Sequence, residues 1–231
     1  MHLLHRFDNG HSVYFTSQAA GDARGLIKTG KIDEELRQRT GRSVRLARLN
    51  QVHSGQVCFL GRGKEADLLE EPPTADGLVY CGDSFGLGVL VADCAPVALT
   101  SAEGVFAAVH AGWRGVQKGV LAEAVKVMKS AGASNISAYI GPCIRAECYE
   151  FKGPELNLMV RELGFSIASH TSWNTSSLDL VEAVRRSLAD VGVDKVDASD
   201  KCTACSHDYF SFRARQSVER HLMVVVAGGS R

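Results

Sequence analysis

Two runs of the chain, Val89-Leu90-Val91-Ala92 and Val105-Phe106-Ala107-Ala108-Val109, are apolar at every position. A strand with one wet face alternates apolar and polar residues, so unbroken runs like these read as strands covered on both faces. They belong to the core. Other β-rich runs lie at Ser12 to Thr16, Val44 to Asn50, Gln56 to Leu60, Gly77 to Tyr80, Gly86 to Ala92, Pro96 to Thr100 and Val105 to His110. Late strands are expected at Ser137 to Ile140, Tyr209 to Phe212 and Leu222 to Ala227.

Helical periodicity marks three further segments. Between Gln117 and Ala131, Val120, Leu121, Ala124, Val125 and Met128 recur at helical spacing before Gly132. Pro154 opens a second helix whose Leu156, Met159, Val160 and Leu163 share a face before Gly164. A third runs from about Leu178 to Val191, with Val181, Val184 and Leu188 inward and Gly192 at its end. Asp33 to Thr40 reads as a weaker fourth. Because strands and helices mix without strict alternation, the expectation is an α+β fold rather than a doubly wound parallel sheet. No repeat, low-complexity tract or linker divides the 231 residues, so one domain is expected over residues 1–231.

Composition narrows the function. Lys plus Arg and Asp plus Glu number 26 each, and this balance argues against a phosphate-tracking surface and hence against nucleic acid as partner. No basic segment followed by a long apolar run opens the sequence, and the longest stretches free of charged residues carry Asn, Ser and Gly, so neither secretion nor membrane insertion is expected. The expected location is cytoplasmic, with reduced thiols. Seven cysteines, an odd number, leave at least one thiol outside any internal pairing. In a reducing compartment, free cysteines are candidates for metal ligation or catalysis.

Three segments share one format, in which an apolar strand runs into a possible metal ligand and then a Gly or Pro turn. They end in Gln51-Val52-His53-Ser54-Gly55, Asp93-Cys94-Ala95-Pro96 and His110-Ala111-Gly112-Trp113-Arg114-Gly115. Two imidazoles and a thiolate match a catalytic zinc site with one open position. The alternative for each residue alone is a small buried cysteine and strand-end histidines satisfied by backbone carbonyls. Asp93 beside Cys94, and the glycine-flanked Trp113-Arg114 turn, are not what packing alone selects.

Read together, Asn50-Gln51-Val52-His53, Ala75-Asp76-Gly77-Leu78-Val79, Ala92-Asp93-Cys94-Ala95-Pro96-Val97 and Val109-His110-Ala111-Gly112-Trp113-Arg114-Gly115 resemble successive motifs of the multicopper polyphenol oxidase (laccase) domain family, also described as multifunctional purine nucleoside phosphorylases. Ile140-Gly141-Pro142-Cys143-Ile144, Tyr149-Glu150 and Tyr209-Phe210-Ser211-Phe212-Arg213 continue the resemblance in order. It implies a four-layer α/β/β/α mixed β-sandwich flanked by helices, with a metal, usually zinc and less often copper, on His53, Cys94 and His110. It also implies phosphorolysis of adenosine, inosine, guanosine and methylthioadenosine, hydrolytic deamination of adenosine, and nucleoside and phosphate as small-molecule partners. The chain departs from the family pattern in lacking an N-terminal Gly-Gly-Val-Ser element and the later Asn-Arg pair. Ser217-Val218-Glu219-Arg220 stands where Thr-Gly-Arg is usual.

Around the proposed ligands, Asp93 and Asp76 are the carboxylates placed to move protons, and Asp93 can equally stabilise its turn. Arg114 and then Arg213 are the candidate phosphate holders, each with a structural ion pair as its alternative. Trp113 is expected to brace its turn rather than stack on a base. Cys202-Thr203-Ala204-Cys205, with His207 close behind, has the spacing of half a zinc knuckle or of a redox pair, but no second Cys-x-x-C exists, so packing is the default. Competing with the zinc enzyme are a cysteine hydrolase or deamidase with Cys94 as nucleophile, His110 as base and His53 as accessory, a copper-dependent oxidase, and a non-enzymatic binding module.

Overall fold

Successive side chains of a strand point to opposite faces, so a strand buried on both sides must feed two different cores. The computed structural model describes residues 1–61 and 71–228. In chain order the strands are β1 (His2–Arg6), β2 (Ser12–Phe15), β3 (Arg45–Ala47), β4 (Val57–Leu60), β5 (Gly77–Cys81), β6 (Phe85–Val91), β7 (Ala95–Thr100), β8 (Val105–Ala111), β9 (Ser137–Ile140), β10 (Ala168–His170), β11 (Ser176–Leu178), β12 (Val196–Ala198) and β13 (His221–Val226). The α-helices are α1 (Ala23–Lys28), α2 (Lys31–Thr40), α3 (Trp113–Gln117), α4 (Val120–Ser130), α5 (Pro154–Leu163), α6 (Leu180–Ala189) and α7 (Phe212–Arg215).

Two large sheets result, ordered β1-β2-β13-β6-β3 and β12-β9-β7-β8-β5-β4. Both are mixed. The pairs β3·β6, β4·β5 and β12·β9 are parallel, and the remaining neighbours in the two sheets are antiparallel.

The apolar runs explain the stacking. On β13, Met223 and Val225 join Leu87, Val89, Phe106 and Ala108 between the two sheets, while Leu222, Val224 and Val226 pack beneath Ile32 and Leu36 of α2. On β8, Val105, Ala107, Val109 and Ala111 face the other way, onto Val120, Leu121, Ala124, Val125 and Met128 of α4 and onto α6. The three apolar interlayers make a four-layer α/β/β/α fold of the α+β class. Each fully buried Leu, Val, Ile or Met contributes about 1.5–3 kcal/mol of transfer free energy, so the two-sided strands dominate the stability.

Several segments depart from the sequence expectation. Tyr209 to Phe212 is not a strand: the Phe210 amide donates to His221 Nε2 (2.6 Å), and Ser211 Oγ accepts from the Ala214 amide (3.1 Å), capping α7. The third helix starts at Leu180, because Leu178 ends β11 and Asp179 caps the helix through the Glu182 amide (2.9 Å). The Trp113-Arg114 turn is the first turn of α3, separated from α4 by Gly119, whose φ is 76°. Strand β3 is shorter than Val44 to Asn50, and β1, β10, β11 and β12 carried too little apolar patterning to be read. No helix among the described residues is long and apolar enough to cross a membrane.

Candidate metal centre

Sheet register brings the three strand-end segments to one rim. In the antiparallel pair β7·β8, Ala95 lies opposite Ala111 and Pro96 opposite His110, so Cys94, one residue before β7, falls beside Gly112. A Cβ on Gly112 would stand 2.8 Å from Cys94 Sγ and 3.1 Å from His53 Cδ2. Only glycine leaves that space clear. His53, Cys94 and His110 each offer one ligand atom, and these atoms all lie within 4.8 Å of one another. His53 is exposed, Cys94 half-buried and His110 buried, so the cluster opens to solvent on one side.

Asp76 organises this rim. It precedes β5, and its carbonyl accepts from the His110 amide (2.7 Å). Its fully buried carboxylate accepts from His110 Nδ1 (2.8 Å) and the amides of Val52 (3.3 Å), His53 (3.0 Å) and Ser54 (2.5 Å), and from Ser54 Oγ (2.8 Å). With Nδ1–H committed to the carboxylate, His110 Nε2 is the nitrogen left for a ligand. Burial by itself would raise the Asp76 carboxyl. The hydrogen bonds from His110 and Ser54 outweigh it and hold the group far below the usual carboxylate range. Burial likewise opposes ionisation of Cys94 and His110, but each charge favours the other. The thiol is drawn down to about 6, and the imidazole, which also holds Asp76, is lifted to about 9.

The backbone is strained at both flanks of the cluster. His53 has φ 57° and Asp93 has φ 89°, left-handed values that cost a non-glycine residue on the order of 1–3 kcal/mol. Side-chain contacts hold both. The Asp76 carboxylate fixes residues 52–54, and Lys118 Nζ donates to the His53 carbonyl (3.1 Å). Gly55 lies so close to the Lys118 carbonyl that a Cβ would stand 2.3 Å from its oxygen. Upstream, the Gln51 side chain substitutes for a strand backbone, donating to the Leu90 carbonyl and accepting from the Leu90 amide, both at 2.8 Å. On the other side, the Asp93 carboxylate accepts from Thr203 Oγ1 (2.7 Å) and the Arg213 amide (2.6 Å). Its two oxygens are engaged in holding the turn.

The remaining candidates are placed as follows. Arg114 is exposed, with its guanidinium 4.4 Å over the Trp113 ring, and half-buried Trp113 meets Phe151 edge-on at 5.2 Å. Arg213 donates to the Glu150 carbonyl (2.6 Å) and lies 4.8 Å over the Tyr149 ring. The Tyr149 hydroxyl is pushed well up, by burial first and then by Cys94. Arg213 and Arg114 pull it the other way, so one phenol senses the sulfur and both arginines. Ser54, Lys118, Thr203 and Tyr149 were not singled out as site residues from the sequence. Their roles depend on backbone approaches that residue spacing does not encode.

The model of the family described as multi-copper polyphenol oxidoreductase laccase matches residues 17–227. Purine nucleoside phosphorylase ORF3 of Streptomyces griseus is 37% identical over 175 residues, 74% of this chain and 70% of that protein. A purine nucleoside phosphorylase of Aquifex aeolicus is 32% identical over 158 residues, 68% of this chain and 73% of that protein. The fold is shared with Neisseria meningitidis protein NMB0706 (TM-score 0.81, 24% identity, 98% of this chain and 99% of that one). It is shared too with YlmD from Geobacillus stearothermophilus (TM-score 0.79, 24% identity, 95% of this chain and 93% of that one). With its four layers, its His53, Cys94 and His110 rim and this match over residues 17–227, the chain belongs to the multi-copper polyphenol oxidoreductase laccase family.

Proposed function

We propose that the chain is a zinc-dependent purine nucleoside phosphorylase of the cytoplasm, acting on adenosine, inosine, guanosine and methylthioadenosine and also deaminating adenosine by hydrolysis. The observation that carries the reading is the convergence of two imidazoles and a thiol within 4.8 Å, in a chain whose relatives are named purine nucleoside phosphorylases. An N₂S donor set suits a borderline ion such as zinc, and the glycine at position 112 leaves room beside the sulfur. When bound on His53, Cys94 and His110, the ion supplies Lewis acidity at the rim.

The chain's own residues do the rest. Arg114 and Arg213, both in electrostatic reach of the Tyr149 phenol, hold inorganic phosphate through their planar donor forks. A phosphate oxygen then bonds to ribose C1′ as the C1′–N9 bond breaks, and its electron pair leaves with the purine, which takes up a proton. Asp76 is a positioning residue that fixes the His110 tautomer and the His53 turn. Asp93 positions Cys94 through Thr203 and Arg213.

The test is to purify the protein without chelator, quantify zinc and copper, and follow adenosine with and without phosphate. Adenine formed only with phosphate establishes phosphorolysis, inosine establishes deamination, and the absence of both products refutes the reading. One observation favours a second reading: the lowered Cys94 thiol beside the raised His110 imidazole is also the arrangement of a nucleophilic cysteine and its base. Metal-free protein that is fully active and blocked by thiol alkylation would establish that cysteine hydrolase instead.

A further inference from the structure

A second group of thiols lies outside the rim. Cys148 ends the turn formed by Ala146–Cys148, and Cys202 and Cys205 lie on a distant loop, yet their three sulfurs all lie within 4.8 Å of one another. His207, the nearest imidazole in sequence, is not among them, and Cys148 takes the place that spacing suggested for it. All three cysteines are free.

The surroundings are organised as those of metal ligands are. The Arg145 amide donates to Cys202 Sγ (3.4 Å), a contact that fixes the direction of the sulfur. The Cys202 loop is held from both ends. Thr203 N donates to the Cys143 carbonyl (3.1 Å) and Ser206 N to the Cys202 carbonyl (3.2 Å). Arg215 donates to the carbonyls of Thr203 (2.7 Å), Ala204 (2.9 Å), Ser206 (3.2 Å) and Tyr209 (2.7 Å). A fourth donor is at hand, since Glu147 Oε1 lies 3.9 Å from Cys205 Sγ. Tetrahedral zinc with bonds of about 2.3 Å sets its sulfurs about 3.8 Å apart, so three sulfurs already within 4.8 Å need only a small contraction. Packing does not account for the group. Cys205 is exposed and buries little apolar surface, and an exposed thiol beside two others is an oxidation hazard unless something occupies it.

We propose that Cys148, Cys202 and Cys205, with Glu147 as the fourth donor, form a second metal site that takes Zn²⁺. The ion ties the turn at Cys148 to the loop at Cys202. Those two segments also hold the Asp93 turn, through the Ile144 amide on the Asp93 carbonyl (2.9 Å) and Thr203 Oγ1 on its carboxylate. The site is structural and independent of the nucleoside reading.

The experiment is zinc titration of the His53→Ala/Cys94→Ala protein, which lacks the rim ligands, with metal content read by mass spectrometry and Co²⁺ substitution read by thiolate charge-transfer absorption. One ion per chain with a strong charge-transfer band is expected, and Cys205→Ser added to that background should abolish both. The same comparison on the otherwise unaltered chain should lose one ion per chain, whatever the rim itself binds. Two results would overturn the proposal. One is unchanged zinc content on Cys205→Ser in either background, and the other is a disulfide among the three cysteines in protein prepared under reducing, zinc-replete conditions.

Discussion

His110 and His221 occupy equivalent places and have opposite electrostatics. Each sits on a long buried strand, in phase with the residues that fill the space between the sheets. His110 meets the Asp76 carboxylate and the Cys94 sulfur and is lifted to about 9. His221 accepts one amide hydrogen bond, from Phe210 at Nε2, leaves Nδ1 unpartnered, and stacks on Phe15 and Phe210 at 5.1 and 4.8 Å. Burial takes it down to about 4. Both are histidines in apolar strands, and in the sequence only the Gly112-Trp113-Arg114-Gly115 turn after His110 sets them apart. The electrostatic difference lies in Asp76, which immediately precedes β5 and meets His110 through the register of β5 against β8.

The comparison breaks most sharply at that carboxylate. Asp76→Ala leaves the amides of Val52, His53 and Ser54 and the His110 imidazole without their buried acceptor, so unfolding in denaturant should show a loss of about 3–5 kcal/mol. Asp76→Asn keeps the volume and should lose less stability, while the proposed phosphorolysis should fall at least about tenfold, because a group that orients a metal-binding imidazole typically counts for about 10–100-fold. Gly112→Ala acts without touching the hydrogen bonds. Its Cβ would crowd Cys94 Sγ at 2.8 Å and cost about 1–3 kcal/mol, with reduced zinc content measured on the folded protein.

Two buried histidines with no hydrogen bond to a carboxylate supply the pH dependence. His221 and His11, both lowered to about 4 chiefly by burial, are neutral in the folded protein and take up protons more readily when unfolded. Their stabilisation is complete above about pH 6.5 and is lost as pH falls from there toward about 4. His11 has neither ring nitrogen hydrogen-bonded and meets Phe106 edge-on at 5.0 Å. His11→Leu should therefore flatten the acid limb, by about 1 kcal/mol at pH 5.5 relative to pH 8, in denaturant titrations at the two pH values. An effect of similar size belongs to Ser54→Ala, which removes one of the hydrogen bonds to Asp76 and keeps the backbone one, for about 1 kcal/mol in denaturant unfolding.

Sequence patterning revealed what burial on two faces imposes. The strands around Val89 and Val105 and the α4 and α5 faces were legible because apolar side chains recur at fixed periods. Exposed β1 and the three-residue β12 were not, since their ladders rest on backbone pairing with little side-chain signature. At the rim, His53, Cys94 and His110 were readable as candidates and do come together, although the strand expected to run into His53 ends at Ala47. The Tyr209-Phe210 segment misled because its aromatics pack against His221 while its amide bonds to an imidazole instead of a ladder. Nothing in the spacing of Cys148 and Cys205 announces that they meet.

Gln51 carries a consequence for the length of the chain around it. Its amide completes a two-bond ring with Leu90 where β3 has already ended, and only Val52 separates that anchor from His53. The imidazole therefore hangs on a tether one residue long. Lengthening it by a single inserted residue would leave the sheets intact yet deliver the ring out of reach of Cys94, so this stretch should tolerate substitution at the exposed Val52 far better than any change in residue count.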